Sequence, residues 1–497
     1  MHLSKNGFAA LVIIALCLST GLLAFFYFSV LQSIYRESTT GQDAYSGQTE
    51  TLLREVSGKM VLVRGLSPPQ NIPLKVVTLD WVEENWGRKF AEESSKELKV
   101  EEEIYKALFL MPQNLSLAEV MVEQSGATMA AVWEGDLYVV REYFNPFDKV
   151  SAERTLAHEI MHLMQEKYFK NPEMRFHDEL QAWAALIEGD AGFTSDKYIE
   201  EATATPTVSN GLTFTSLFNK LSVATGLPSV KMPESLIELW LFRYRYGESF
   251  VLALYKAGGW EKVNAAYVNP PLTTEQILHL EKYLEGESFV LVNSIPLNSS
   301  DWNLVKTDRF GEHFIRVMLS RHIPRDDAAK AAEGWHGDNF TYYEKGESRL
   351  FTWKIVWDTE RDSVEFFDSF IQMMNAVGAH QILASGRCPS NNTVWWKAGD
   401  QYVSLMRNQS SAIVTGSTEL SWSQNNLYTE SSIRFLSTSL SLCDIDRSSL
   451  GTRDNKYRST RFRDGAVELG RLGRAPTLFF LFSMVLTRRL GVHATSA

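Results

Sequence analysis

Cysteine is scarce: only Cys17, Cys388 and Cys443 occur among 497 residues. No disulfide framework can be built from so few; Cys17 falls inside an apolar run, leaving Cys388 and Cys443 either as a pair in an oxidising compartment or as two free thiols. Positive charge is also in short supply, with 49 Lys and Arg against 60 Asp and Glu and a formal net charge of -11. Phosphate recognition needs a concentrated basic face, and none exists outside the C-terminal tail, so nucleic acid is not expected as a partner. What is present is a chain 44% hydrophobic and 22% charged. It is long and apolar enough to bury a sizeable core, and its length favours two compact units over one.

One apolar run stands apart. From Phe8 to Leu31 the sequence carries no charge, and the next charged side chain beyond it is Arg36. That exceeds the roughly 20 residues a helix needs to cross a bilayer. The run is long for a cleaved signal and no clear small-x-small site follows, so an uncleaved transmembrane signal anchor (8–31) is expected, with the lipid bilayer as its partner. Lys5 and the terminal amine precede it, and Arg36 and Glu37 follow. The positive-inside rule then favours an internal N-terminus and an extracytoplasmic main body. Asn114, Asn298, Asn339, Asn391 and Asn408 each head an N-x-S/T pattern, which suits an exported chain.

Residues 32–56, rich in Gln, Ser, Thr, Gly and charge, read as a polar stalk. Order is expected from about Lys59, in a main α+β domain spanning 57–295. Met60–Val63 and Leu74–Thr78 look like strands and Asp80–Ser95 like a capped helix, with a second helix over Val100–Leu110. Met129–Trp133 and Leu137–Val140, joined by Glu134-Gly135-Asp136, carry a hairpin signal. Ser151 is a fair N-cap for a helix that runs to about Phe169, before Asn171-Pro172. Asp178–Ala191 is the next helix. Residues 200–232 read as a long loop that could act as a lid or rim, followed by helices over Pro233–Tyr244 and Tyr246–Ala257, the latter closed by Gly258-Gly259.

A smaller α+β unit is expected over 296–416. Its helices lie near Arg309–Ser320 and Thr359–Ala376, and its strands over Phe340–Tyr343, Phe351–Trp357, Thr393–Lys397 and Gln401–Arg407. Trp335, Trp353, Trp395 and Trp396 read as its core and sheet packing. The remainder, 417–497, is rich in Ser and Arg with little periodicity, so poor order is expected there. Its apolar stretch 478–486 is short for a span.

The chemistry concentrates in His158-Glu159-Ile160-Met161-His162. On a helix, residues four apart share a face, so His158 and His162 can offer two imidazoles to one Zn²⁺ while Glu159 faces water at that metal. A catalytic zinc takes three protein ligands and keeps one position open. A carboxylate on the following helix completes the count: Glu188 is preferred, 26 residues past His162 with Ala184, Ala185 and Gly189 allowing close helix approach, and Asp190 and Glu179 are its rivals. Glu159 would then be the general base of a hydrolytic reaction. A second donor for the developing oxyanion is sought among Tyr244, Tyr246 and His279, with Tyr246 and His279 carried forward. A helical tyrosine more often packs, however, and a lone histidine is more often structural.

These segments resemble the gluzincin-type metallopeptidases, and more closely a prokaryotic group of membrane-anchored zincin-like proteins. The resemblance is carried by His158 to Phe169 and by Ala185-Leu186-Ile187-Glu188-Gly189-Asp190-Ala191. It continues through Tyr246-Gly247, Gly258-Gly259-Trp260, Thr273 to His279 and Ala332 to Asp338, covering about residues 57–416. It implies a zincin-like fold, Glu188 as third zinc ligand and a peptide or protein as substrate. Gly192 stands where gluzincins carry an acidic residue, four positions after the ligand glutamate; Asp190 or Glu153 could orient a ligand imidazole instead. The expectation is therefore a membrane-anchored, zinc-dependent metallopeptidase, with a non-catalytic envelope protein that binds peptides on the same scaffold as the alternative. Nothing in the sequence sets the oligomeric state.

Overall fold

A computed structural model describes residues 43–203, 232–297, 301–382 and 392–419, a mixture of α-helix and β-strand. The expected membrane segment 8–31, most of the loop 200–232, all three cysteines and the tail beyond 419 lie outside the described residues. No helix among the described residues is long and apolar enough to cross a membrane.

The stalk expectation is corrected at once. Residues 43–64 form a helix, α1, whose Tyr45, Leu52, Leu53, Val56, Met60 and Val63 are all buried. From Leu53 onward they recur every three or four residues, the stripe of a helix with about 3.6 residues per turn. The polar composition up to residue 56 concealed that period, and Met60–Val63, taken for a strand, is the last turn of the same helix. The stripe packs on Leu156, Ile160, Met161 and Met164, the inner face of the helix that carries the two histidines.

A small three-stranded sheet follows. β1 (Leu74–Val77) lies parallel to β3 (Asp136–Val140), which pairs antiparallel with β2 (Ala130–Trp133), giving the order β1-β3-β2. The β2–β3 hairpin turns at Glu134 (φ 52) and Gly135 (φ 81), both in the left-handed region that a tight two-residue hairpin turn requires. β2 is therefore an edge strand. Between β1 and β2 run the helical stretch 79–93 (α2), α3 (Ser95–Ala107) and α4 (Leu117–Ser125).

α5 (Lys149–Tyr168) is capped by Asp148, whose side chain accepts from the Ser151 amide, so the cap lies three residues before the expected Ser151. α6 (His177–Thr203) runs well past the expected end at Ala191. α7 (Glu234–Val268) joins the two helices expected on either side of Arg245. Its Gly258-Gly259 pair is a kink and not a terminus: Gly259, at φ 64, holds a conformation that costs glycine nothing, and the helix resumes at Trp260. Two short helices follow, α8 (Thr274–Leu278) and α9 (Leu280–Glu285).

The C-terminal unit is a seven-stranded antiparallel sheet in the order β4-β5-β6-β10-β9-β8-β7. Its strands are β4 (Asn303–Asp308), β5 (Trp335–Lys345), β6 (Ser348–Trp357), β7 (His380–Ile382), β8 (Thr393–Ala398), β9 (Gln401–Asn408) and β10 (Ser411–Ser417). α10 (Gly311–Ser320), α11 (Arg325–Ala332) and α12 (Glu360–Ala376) pack with it. A boundary at 295/296 divides the chain but not the core, because Leu98, Tyr105, Leu117 and Val120 of α3 and α4 share one apolar cluster with Phe314, Trp353 and Leu405. Buried Asp338 accepts from the indole N–H groups of Trp335 and Trp353, each at 3.0 Å, and from the amides of Phe310 and Gly311 that open α10.

Two contacts of α6 fix where its middle lies. At its start, buried Asp178 accepts from Arg309 Nε (3.2 Å) and from the amide and hydroxyl of Thr274, while the His177 amide donates to Asp308. Halfway along, α6 crosses α7 at glycines: a Cβ on Gly189 would lie 2.2 Å from the Gly247 carbonyl oxygen, and one on Gly247 the same distance from that of Ala185. Backbone cannot yield as a side-chain tip can. Gly189→Ala or Gly247→Ala is therefore expected to destabilise the fold by about 3 kcal/mol, the upper end for overpacking, read as a lowered urea midpoint at unchanged slope. An unchanged midpoint would mean that the helices separate freely.

Candidate metal centre

α5 carries His158 and His162 one helical turn apart, and α6 brings Glu188 to them. His158 Nε2 lies 3.3 Å from Glu188 Oε2, His162 Nε2 lies 3.5 Å from the same oxygen, and the two Nε2 atoms are 3.2 Å apart. Zinc bonds to imidazole nitrogen and carboxylate oxygen measure roughly 2.0–2.1 Å, which makes the edge of a tetrahedral coordination face about 3.4 Å. The three separations match such a face. Two imidazole nitrogens also converge on one buried carboxylate oxygen, an arrangement that needs positive charge between them. The residues thus fit a zinc ion.

The electrostatics agree. Burial alone would lower the pKa of His162, but the facing Glu188 carboxylate outweighs it and lifts the value to about 9, with help from Glu159 and Gln165. Burial would raise the Glu188 pKa, yet the two histidines hold it well below the usual carboxylate range. The pocket draws in positive charge, as a proton or as a metal.

Glu159 is buried, at 7% exposure. That burial pushes its pKa up, as does Glu188, while His158, His162 and the Val132 amide that donates to it pull the value down. Val132 belongs to β2, an edge strand among the described residues, so the carboxylate beside the histidines is tied to a strand edge. Tyr244 of α7 places its hydroxyl on Glu188, to which it donates; burial, then the Glu188 charge, keep that phenol protonated. Gly247 lies about one turn further along α7, so the glycine crossing is what lets Tyr244 reach Glu188. Neighbouring Asp196 accepts from Arg154 Nε at 2.7 Å and lies close enough to His158 to feel its charge.

The other candidates have different neighbours. Tyr246 packs against Phe242, His313 and the Arg316 guanidinium. His279 pairs with Glu312 at 3.0 Å. Facing directions on a helix explain the tyrosines: positions 244 and 246 point to different sides, and the side toward Glu188 belongs to 244. Of the rivals to Glu188, Asp190 is engaged by Arg64 and Glu179 by Arg309. Glu153 lies 3.8 Å from Lys149. Buried His177, whose pKa burial lowers to about 3, packs edge-on against the stacked rings of Phe310 and Phe314 and is a packing residue.

Glu287, His336 and Asp358 form another group within metal-ligand reach of one another. A cation already sits there: Lys282 Nζ donates to Glu275 (2.8 Å), Glu287 (2.6 Å) and Asp358 (2.9 Å).

A family described as "Domain of unknown function (DUF8575)" matches residues 302–424, a stretch that begins at Trp302 just ahead of β4 and includes all seven strands of the C-terminal sheet. His158, Glu159, His162 and Glu188 lie outside it. No curated protein and no solved structure matches the chain.

Zinc ligation by His162 requires its neutral form, so binding below pH about 9 must expel a proton. Apparent zinc affinity is expected to rise about tenfold per pH unit up to about pH 9, as measured by chelator competition, and His162→Ala should abolish stoichiometric binding. An affinity that is flat with pH would mean that no proton leaves His162 on binding, and stoichiometric zinc binding by His162→Ala would exclude it as a ligand.

Proposed function

We propose that this chain is a zinc-dependent metallopeptidase of zincin-like fold, anchored to a membrane by segment 8–31, with its catalytic body on the extracytoplasmic side. The observation that carries the reading is the near-equilateral triangle of His158, His162 and Glu188 donor atoms with the Glu159 carboxylate beside it. Zinc there supplies Lewis acidity toward a carbonyl oxygen and makes water a stronger acid near neutral pH.

The side chains divide the remaining work. Glu159 takes the proton of the attacking water and passes it to the leaving amine. Burial raises its pKa, and a base whose pKa approaches the working pH transfers protons in both directions most effectively. The Val132 amide fixes that carboxylate against β2. The edge of β2, which pairs with no further strand among the described residues, can pair with an extended peptide through its remaining backbone groups and so deliver a scissile bond to the Glu159 side of the triangle. Tyr244, by donating to Glu188, holds the carboxylate in its ligating orientation.

Glu159→Gln keeps the shape and removes the base. The full-length protein, loaded with zinc in detergent, should lose peptide hydrolysis by about 10²- to 10⁴-fold while its zinc content is unchanged. Undiminished hydrolysis by the variant would overturn the assignment of the base. Zinc-loaded wild type that binds peptide but cleaves none would point instead to a binding role for the same scaffold.

A further inference from the structure

The outer nitrogen of His162 begins a chain of buried hydrogen bonds that ends on α1. His162 Nδ1 lies 2.8 Å from Gln165 Oε1. The Gln165 amide has only one sensible orientation, because its Nε2 donates to the Ile187 carbonyl oxygen at 2.8 Å, a group that can only accept. Oε1 is therefore the acceptor, and in the neutral form that metal ligation requires His162 carries its one proton on Nδ1. That leaves the Nε2 lone pair aimed at Glu188 and His158.

The same Gln165 Nε2 donates to the Tyr267 hydroxyl at 2.9 Å, and Tyr267 donates to Asp190 Oδ2 at 2.8 Å. Asp190, fully buried, is then held by two prongs of Arg64, Nε at 3.2 Å and Nη2 at 3.0 Å, with the Thr194 hydroxyl as a further donor. Each group donates in the one direction its chemistry permits, from either end toward Asp190 or outward from the imidazole.

Arg64 is itself fixed. It is 1% exposed, its guanidinium lies 4.2 Å from the Trp260 ring, and its Nη2 also donates to Asn264 at 2.8 Å. The Trp260 indole donates to the Val63 carbonyl oxygen at 2.8 Å. Trp260, Asn264 and Tyr267 are spaced by four and three, so they share one face of the segment that follows the Gly258-Gly259 kink. That kink turns this face toward the C-terminal end of α1.

We propose that Arg64 is a positioning residue for the metal centre: through Asp190 and Tyr267 it holds Gln165, whose amide sense the Ile187 carbonyl sets, in place against His162 and so fixes the ring orientation of that imidazole, which makes α1 part of the zinc site. This rests on the zinc reading above. Ligand imidazoles commonly depend on an outer partner, and losing one weakens metal binding by about 10- to 100-fold. Here the partner is a neutral amide oriented by the Ile187 carbonyl and held in place by Tyr267, with the arginine three residues further out, behind Asp190.

The test is a double-mutant cycle on zinc affinity in the full-length protein, by chelator competition under conditions where circular dichroism shows every variant folded. Tyr267→Phe removes one hydroxyl and keeps the ring, which stacks on Phe169 at 3.8 Å. Arg64→Lys keeps the charge opposite Asp190 but loses the two-pronged grip, which avoids leaving a buried charge unpaired. Tyr267→Phe should weaken zinc binding by about 10- to 100-fold and Arg64→Lys by about tenfold. The double variant should be no weaker than Tyr267→Phe alone, because the chain is already cut. The visible spectrum of the cobalt-substituted protein should shift in the same way in both single variants. Losses that multiply in the double variant, or single variants with wild-type affinity, would overturn the positioning role and leave the zinc reading intact. A wild type that binds no zinc would overturn both.

Discussion

Two imidazoles and a carboxylate from two helices, converging within 3.5 Å of one another in a buried pocket, impose a constraint that the rest of the molecule serves. Buried groups of this kind are costly unless their charges and lone pairs are satisfied together. The helices that carry them must therefore be held to within a fraction of an ångström. α5 is held by its inner face, where Leu156, Ile160, Met161 and Met164 pack against α1 and the small sheet. α6 is held in the middle by the glycine crossing with α7 and at its start by Asp178, with Arg309 and Thr274 from the segments around the C-terminal sheet. Glu188 lies between those two fixed points.

The same constraint accounts for the long-range connections. The C-terminal sheet contributes no side chain to the triangle, yet it shares its core with α3 and α4 and grips the first turn of α6. The match to DUF8575 is confined to this part of the chain, residues 302–424, so it bears on the support and not on the chemistry. On the opposite side, α1 fills the groove behind the histidine helix and ends in Arg64, whose pairing with Asp190 is completely withdrawn from solvent. A buried ion pair of this kind contributes little net stability, and its clearer use is to specify one arrangement.

Much of the site could be read from residue spacing, because a spacing of four on a helix is itself geometry: it put His158 and His162 on one face before any fold was known. Small residues around Glu188 marked the helix crossing on one side. The hairpin before α5 was legible from Glu134-Gly135-Asp136, but the edge position of β2 depends on β1 pairing with the far side of β3. Contacts far apart in sequence were not legible. Nothing local distinguishes Tyr244 from Tyr246, since the choice depends on the rotation of α7 about its axis, set by Gly189 and Gly247. Gln165 had a weak signal, three residues past His162 and so beside it on the helix. Arg64 and Tyr267 had none, lying 126 and 77 residues from Asp190. α1 was hidden for a different reason: its apolar stripe is diluted by polar residues, so composition suggested a stalk where periodicity indicates a packed helix.

The account depends most on the three donor atoms forming one face of a metal site, and zinc K-edge X-ray absorption on the zinc-loaded protein tests that directly. The expected result is a four-coordinate spectrum with nitrogen and oxygen at about 2.0–2.1 Å and outer-shell scattering from two imidazoles, reduced to one in a His158→Ala variant. A six-coordinate shell of oxygen alone, or imidazole scattering that persists unchanged in that variant, would contradict it.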